Sequence, residues 1–226
     1  MIWMRTLIRS ANIPEMRSLV RHDTAGDTVV RRTTQEDIHS LVDFINDRAS
    51  PGGLSRITPE LAGKWIGTGT SVVATVDGRI IGHATSHLCE PVAVPGRMSG
   101  FEIKSVAVDE SSQRTGLSAV LVSASVYFAK QYAQHTGMEG YSFFWHSGNN
   151  ARGKTLATSD SGLGMREMLL FDGERPLMSV VERLPEKLEH DVKRLGPSFV
   201  LYSGDVQTHL YDLYASFRGN GWKLER

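Results

Sequence analysis

The sequence holds a single cysteine, Cys89, so no disulfide can form within the chain. A lone thiol fits a reducing compartment, and the expected setting is cytoplasmic. Neither sign of charge is in excess: 25 Lys and Arg face 25 Asp and Glu, for a formal net charge of zero. That balance excludes a nucleic-acid coat and a polybasic membrane binder. No run approaches the ~18 apolar residues of a membrane span. Arg5, Arg9 and Pro14 interrupt every apolar stretch that a secretory leader would need. Internal repeats and low-complexity tracts are missing as well. What is present suits a folded enzyme-sized unit. The 226 residues are 40% hydrophobic, too many for disorder, and enough to bury a core without staples.

Hydrophobic periodicity and turn residues give the element order. Val29–Arg32 reads as a strand. Thr34 is a good N-cap, with Asp37 in the capping-box position, before the helical spacing of Ile38, Leu41, Val42 and Ile45. Thr58-Pro59 opens a second helix. Ser71–Val76 and Arg79–Ser86 flank Asp77-Gly78, a strong hairpin signal. Phe101–Val108 is a strand, a helix follows from about Gly116 to Gln134, and Glu139–His146 is the next strand. A short helix at 149–159 and a strand at Met165–Phe171 come after it. The tail reads as helix (185–195), strand (199–202) and helix (206–217). Strand–helix–strand at 101–146 requires a parallel crossover, whereas the hairpin requires antiparallel neighbours. The expected fold class is therefore α/β (α+β): a mixed, mostly antiparallel central sheet with a parallel β-α-β crossover and helices on both faces.

The chemistry concentrates where the first crossover strand meets its helix. Val106-Ala107-Val108 leads through Asp109–Ser112 into Gln113-Arg114-Thr115-Gly116-Leu117-Ser118. The first amides of a helix have no partner inside it, and with the helix dipole they form a natural phosphate site. Gly116 and Ser118 leave room for a ligand against the backbone, and Arg114 adds a positive charge.

Gln113-x-x-Gly116-x-Ser118 resembles the cofactor motif of the GNAT N-acetyltransferase superfamily, Gln/Arg-x-x-Gly-x-Gly/Ala, with Ser in the last small position. The resemblance covers roughly residues 28–172 and implies a GNAT-like acyltransferase domain there. Residues 1–27 are then an N-terminal extension, and 173–226 a mixed α/β extension packed on the core. It implies acetyl-CoA, or another acyl-CoA, as cosubstrate. Amides from Thr115 to Ser118 would hold the pyrophosphate, and Val106 and Val108 would present backbone groups to the pantetheine arm. Asn149 or Asn150 would bond a pantetheine amide. The acceptor would be an amine on a small molecule or a peptide. The Tyr often found late in the following helix, as acid to the leaving thiolate, is missing: Ala157, Thr158 and Ser159 stand there. The alternative within the family is a catalytically silent acyl-CoA-binding module.

A competing motif lies close by. Gly148–Thr155 fits G-x-x-x-x-G-K-[ST], the P-loop pattern, after an expected strand. Thr158–Gly162 is a poor continuation of the helix such a loop needs.

Acetyl transfer to an amine of pKa near ~10 requires a proton acceptor. Glu102 is the expected base, placed on the central strand as in histone-type members of the superfamily. Alternation puts it on one face with Lys104, Val106 and Val108, and Lys104 would lower its pKa. His146 ends the neighbouring strand and could relay a proton. His83 and His87 are four apart, ~13 Å along a strand, too far for one ion; no metal is expected. They could line the acceptor pocket instead. Leu210, Leu213, Tyr214 and Phe217 have helical spacing, which marks core or a homodimer face. The tail could also recognise an acyl-carrier protein, or supply a Tyr for the missing acid.

Overall fold

Asp77 and Gly78 both take positive φ, 50° and 78°, as a two-residue hairpin loop requires. Strands β3 (Ser71–Val76) and β4 (Arg79–Cys89) pair antiparallel across it. They sit at the middle of a nine-stranded sheet in a computed structural model that describes residues 16–23, 26–49, 54–89, 96–146, 151–158, 163–204 and 221–225. The expected helix at 206–217 lies outside the described residues.

Before the hairpin come β1 (Ser18–Asp23), β2 (Gly26–Arg32), α1 (Ile38–Asn46) and α2 (Pro59–Gly67). After it the crossover runs through β5 (Ser99–Val108), α3 (Leu117–Thr136) and β6 (Tyr141–His146). Then follow α4 (Ala151–Thr158), β7 (Arg166–Met168), a small ladder of β8 (Phe171–Asp172) and β9 (Arg175–Pro176), α5 (Met178–Val181) and α6 (Glu186–Leu195). Strands β10 (Leu201–Gly204) and β11 (Lys223–Glu225) complete the main sheet. Its order is β11-β1-β2-β3-β4-β5-β6-β10-β7, and within it only β5 and β6 pair in parallel. No helix among the described residues is long and apolar enough to cross a membrane.

The helix ends follow local chemistry. The Thr34 amide donates to Asp37 Oδ2 at 2.8 Å, and Arg31 clamps the same carboxylate through two nitrogens at 2.7 and 2.9 Å. The Leu61 amide donates to Thr58 Oγ1 at 3.3 Å, with Pro59 in the first turn. Gly137 ends α3 with φ 67°, and the Met138 amide reaches back to the Ala133 carbonyl at 2.8 Å, closing a Schellman motif.

The two faces of the sheet are covered differently. On one, α3 crosses β3, β4 and β5 and buries Leu121, Val122, Phe128, Phe101, Phe143 and Trp145 in a continuous apolar core. Phe101 stacks on Phe143 at 5.5 Å and meets Tyr132 and Tyr141 edge-on. The other face carries two separate clusters. Helices α1 and α2 pack Leu41, Phe44, Ile45 and Trp65 on Val73 and Ile80. Helices α5 and α6 pack Val181, Leu188 and Val192 on Phe144 and Leu201. Between these clusters the strands β4 and β5 present polar side chains.

Both segments flanking residues 28–172 enter the same sheet. Strand β10 inserts between β6 and β7, and β11 pairs with β1 at the far edge. Trp222 is buried there, with the Arg21 guanidinium 5.1 Å from its ring.

Candidate active site

Strands β5 and β6 pair closely at one end, and at the other β5 runs on past the end of that pairing. At the paired end a Cβ on Gly100 would overlap the Ser142 carbonyl and the Phe144 ring, so only glycine permits the approach. Their parallel register ends at Ile103–Trp145, while β5 continues to Val108. The pairing ends next to a bulge. Against β4 the register moves from Thr85–Lys104 to His83–Ala107, one residue longer on β5, and Ser105 takes φ 52°.

His83 braces that bulge. Its Nδ1 bonds the Ser105 carbonyl at 2.9 Å, its Nε2 bonds Ser71 Oγ at 3.0 Å, and its ring stacks on Trp65 at 5.7 Å. Burial pushes the imidazole pKa down to about 4, so the ring is neutral at ordinary pH. His83 is fully enclosed and therefore does not line a pocket, contrary to the sequence expectation. The bulge also corrects the strand alternation. Past Ser105 the faces exchange: Ala107 joins the α1–α2 cluster, and Val106 and Val108 turn to the α3 side. Glu102 and Lys104 therefore do not share a face with the two valines.

The turn from β5 into α3 is open to solvent. Gln113, Arg114, Thr115 and Gly116 are exposed, Ser118 is half-buried and Leu117 anchors the helix in the core. Arg114 at φ 65° and Gly116 at φ 81° are left-handed on either side of Thr115, an alternation that gathers backbone N–H groups into an anion-binding concavity. The Ala119 and Val120 amides both bond the Gly116 carbonyl, so those of Leu117 and Ser118 precede the first helical bond. A side chain on Gly116 would meet nothing within 4 Å. Asp109 fixes the turn from below: it accepts from the Glu110 amide at 3.0 Å and pairs with Arg48 at 2.8 Å.

On the opposite face Glu102 lies 2% exposed between two lysines. Lys104 Nζ donates to Glu102 Oε2 at 3.1 Å, and Lys187 Nζ of α6 donates to the same oxygen at 2.9 Å. Burial pushes the carboxyl pKa up, but the two ammoniums outweigh it and hold Glu102 below the usual carboxylate range. Burial and the neighbouring Lys187 lower Lys104, against the pull of Glu102. Lys187 itself is raised: Glu102 more than offsets its burial. His87 pairs across the strands with Glu102, and burial together with Lys104 pushes it down to about 4. His146 stands on the same face, its ring 4.8 Å from Phe199. Burial lowers it despite Glu102 and Asp191 nearby, so its imidazole is neutral at ordinary pH. Cys89 is buried beside Glu102, its thiol pushed up to about 12 by burial and that carboxylate, and is no nucleophile.

The structure thus brings Glu102 and His146 together on one face of the sheet, the face opposite α3. Asn149 and Asn150 lie outside the described residues, as do Ser159, Tyr211 and Tyr214. Leu163, just past α4, is buried in the core. Sequence reasoning missed Lys187, which comes 85 residues after the carboxylate it binds; its only local sign is an exposed-face position on an amphipathic helix. Against the P-loop reading, Ala151 and Arg152, which a phosphate loop would need before its helix, are already helical in α4, and Lys154 pairs with Glu167 at 3.4 Å; Gly148 lies outside the described residues. Among the described residues no group of three His, Cys, Asp or Glu could hold a metal ion.

A mixed sheet with one central parallel pair, whose first strand runs on into an open helix mouth, fits the acetyltransferase class of fold. Residues 41–152 match the family model for acetyltransferase (GNAT) family, and the chain carries a GNAT-family domain. Solved structures of the same fold include N-acetylglutamate synthase from Neisseria gonorrhoeae complexed with coenzyme A and N-acetyl-glutamate. That likeness has 19% identity and a TM-score of 0.53, over 78% of this chain and 34% of the synthase, so the chain spans about a third of that protein. Rv2747 from Mycobacterium tuberculosis, in complex with CoA and NLQ, has 15% identity and a TM-score of 0.51 over 77% of this chain and 96% of its own. The protein yncA from Salmonella typhimurium, with its cofactor acetyl-CoA, has 15% identity and a TM-score of 0.50 over 79% and 94%. At these identities the likeness is one of fold. No curated protein sequence matches the chain.

Proposed function

We propose that the chain is an acyltransferase that moves an acetyl or other acyl group from acyl-CoA to an amine by direct attack. The observation that carries this reading is the open turn into α3, with left-handed Arg114 and Gly116, after the stretch of β5 that runs on past its pairing with β6. Amides from Thr115 to Ser118 receive the pyrophosphate, with Gln113 and Arg114 at its rim. The β5 backbone at Val106, Ala107 and Val108 faces the pantetheine arm where β6 no longer pairs with it. Asn149 or Asn150 is assigned to a pantetheine amide.

In the reaction the amine nitrogen bonds to the thioester carbonyl carbon, the C–S bond breaks and the thiolate leaves. Backbone N–H groups past the bulge polarise the carbonyl oxygen. The amine must shed a proton, and His146 is the better acceptor of the two candidates. Its imidazole is neutral, whereas Glu102 is engaged by two ammoniums that weaken it as a base. We assign Glu102 to holding Lys104 and Lys187 in place.

Gly116→Glu and Ser118→Glu test the cofactor site. Both should weaken acetyl-CoA binding by about tenfold or more, as like charge enters the diphosphate cradle; unchanged affinity would overturn the reading. The engaged state of Glu102, with no Tyr at 157–158, favours a second reading: a silent acyl-CoA module. Tight acetyl-CoA binding without turnover over a broad amine panel would select it.

A further inference from the structure

Among the described residues, four buried side-chain polar atoms lack a hydrogen-bond partner: Trp65 Nε1, Thr85 Oγ1, His87 Nδ1 and Ser123 Oγ. Three of the four share one neighbourhood. Thr85 is the cross-strand partner of Lys104, and His87 that of Glu102. Lys104 Nζ lies 5.7 Å from the Trp65 ring centroid. Native proteins satisfy nearly all buried polar groups, so three orphans grouped around Lys104 and Glu102 point to a polar partner that the chain itself does not supply.

The neighbourhood also states which polar atoms. An indole N–H only donates, and ammoniums only donate. Lys104 and Lys187 share one carboxylate, Glu102, so one positive charge is left over. Exposed Lys64 on α2 adds to the same field, which works with burial to keep His87 neutral. The missing partner is therefore rich in acceptors and negatively charged.

Resting on the transferase reading, we infer that the acceptor is an amine that carries a carboxylate, an amino acid in the chemical sense. Its carboxylate lies against Lys104 and Lys187, with Trp65 Nε1 and Thr85 Oγ1 as further partners. Its amine extends toward the end of the β5–β6 pairing and His146. Lys187 is half exposed on α6 and stands at the entrance; Lys104 forms the floor.

The experiment compares amino acids with the amines formed by their decarboxylation, each with acetyl-CoA. The carboxylated member should be favoured by about tenfold or more in kcat/KM, about 1.4 kcal/mol. Lys187→Ala should abolish that preference, mainly through KM, and Lys187→Arg should restore it. A binding arm needs no turnover: with CoA present, N-acetylated amino acids should stabilise the protein more than their primary amides do. Thr85→Val should weaken that binding without lowering the melting temperature of the free protein, because the hydroxyl has no partner to lose. If both members of each pair are acetylated alike, or the preference survives Lys187→Ala, the anion site is overturned and the transferase stands. If no amine is acetylated yet the N-acetylated amino acids bind selectively, the transferase reading falls and the anion site stands. No selectivity in either arm overturns it.

Discussion

The two faces of the sheet solve different problems with neighbouring residues of the same strands. Phe101 and Ile103 of β5 face α3 and join an apolar core. Glu102 and Lys104, between and beyond them, are charged and face the other way, Lys104 toward Trp65 of α2 and Glu102 onto Lys187 of α6. The α3 face is closed by one twenty-residue helix, which fits its core without a seam. The opposite face is closed by two helix pairs that leave its middle to polar side chains. One face supplies the stability, and the other keeps groups whose partners the fold itself does not provide.

Substitutions can break this contrast, and the largest effect belongs to the apolar face. Leu121→Ala removes a fully buried side chain from α3 and should cost about 2–5 kcal/mol, read as a lower denaturant midpoint. Selectivity among acceptors should not change. Glu102→Gln comes next, at about 1–3 kcal/mol near neutral pH, since it removes a charged acceptor from two ammoniums. Because the folded carboxyl is held below its ordinary value, its contribution is complete above the usual carboxylate range and fades as pH falls through the folded pKa. The stability difference between Glu102→Gln and the parent should therefore shrink with acid. A difference that grew with acid would mean the carboxylate is strained rather than held.

Smaller effects sharpen the comparison by using one kind of atom on both faces. Thr85→Val should raise the stability of the free protein by up to about 1 kcal/mol, since an unpartnered hydroxyl leaves a buried site. Ser123→Ala, its counterpart inside α3, should gain about 0.5 kcal/mol from helix propensity. Only the former should alter ligand binding; if both do, the faces are not distinct in function.

Much of this was legible where a local rule decides the outcome. Asp77-Gly78, Thr34 with Asp37, Thr58-Pro59 and Gly137 each fixed an element boundary through its own φ or hydrogen bond. The α3 mouth was legible for the same reason: small residues and a strand-to-helix turn are neighbours in sequence. What depended on contacts distant in sequence was not. The bulge at Ser105 has no glycine or proline to announce it; it is held by His83, 22 residues earlier. That bulge reversed the alternation that grouped Glu102 with Val106 and Val108. Lys187 reached Glu102 from a helix whose docking is set by Phe144 and Leu201. Strand β1 read as an extension although it pairs with the adjacent β2 along its whole length; only its second partner, β11, lies far along the chain.

That last pairing governs how the molecule yields to force. Ser18 faces Glu225, tied by Ser18 Oγ to the Glu225 carboxylate at 2.6 Å and by the Arg17 amide to the Glu225 carbonyl at 3.1 Å. Tension applied by tweezers at Ser18 and Glu225 loads one rung of the ladder after another, like a zip drawn from its open end. Anchored there, the domain should begin to unravel at low pulling load. Handles on Asp77 and Lys187 would instead strain many bonds at once and should meet stiff resistance.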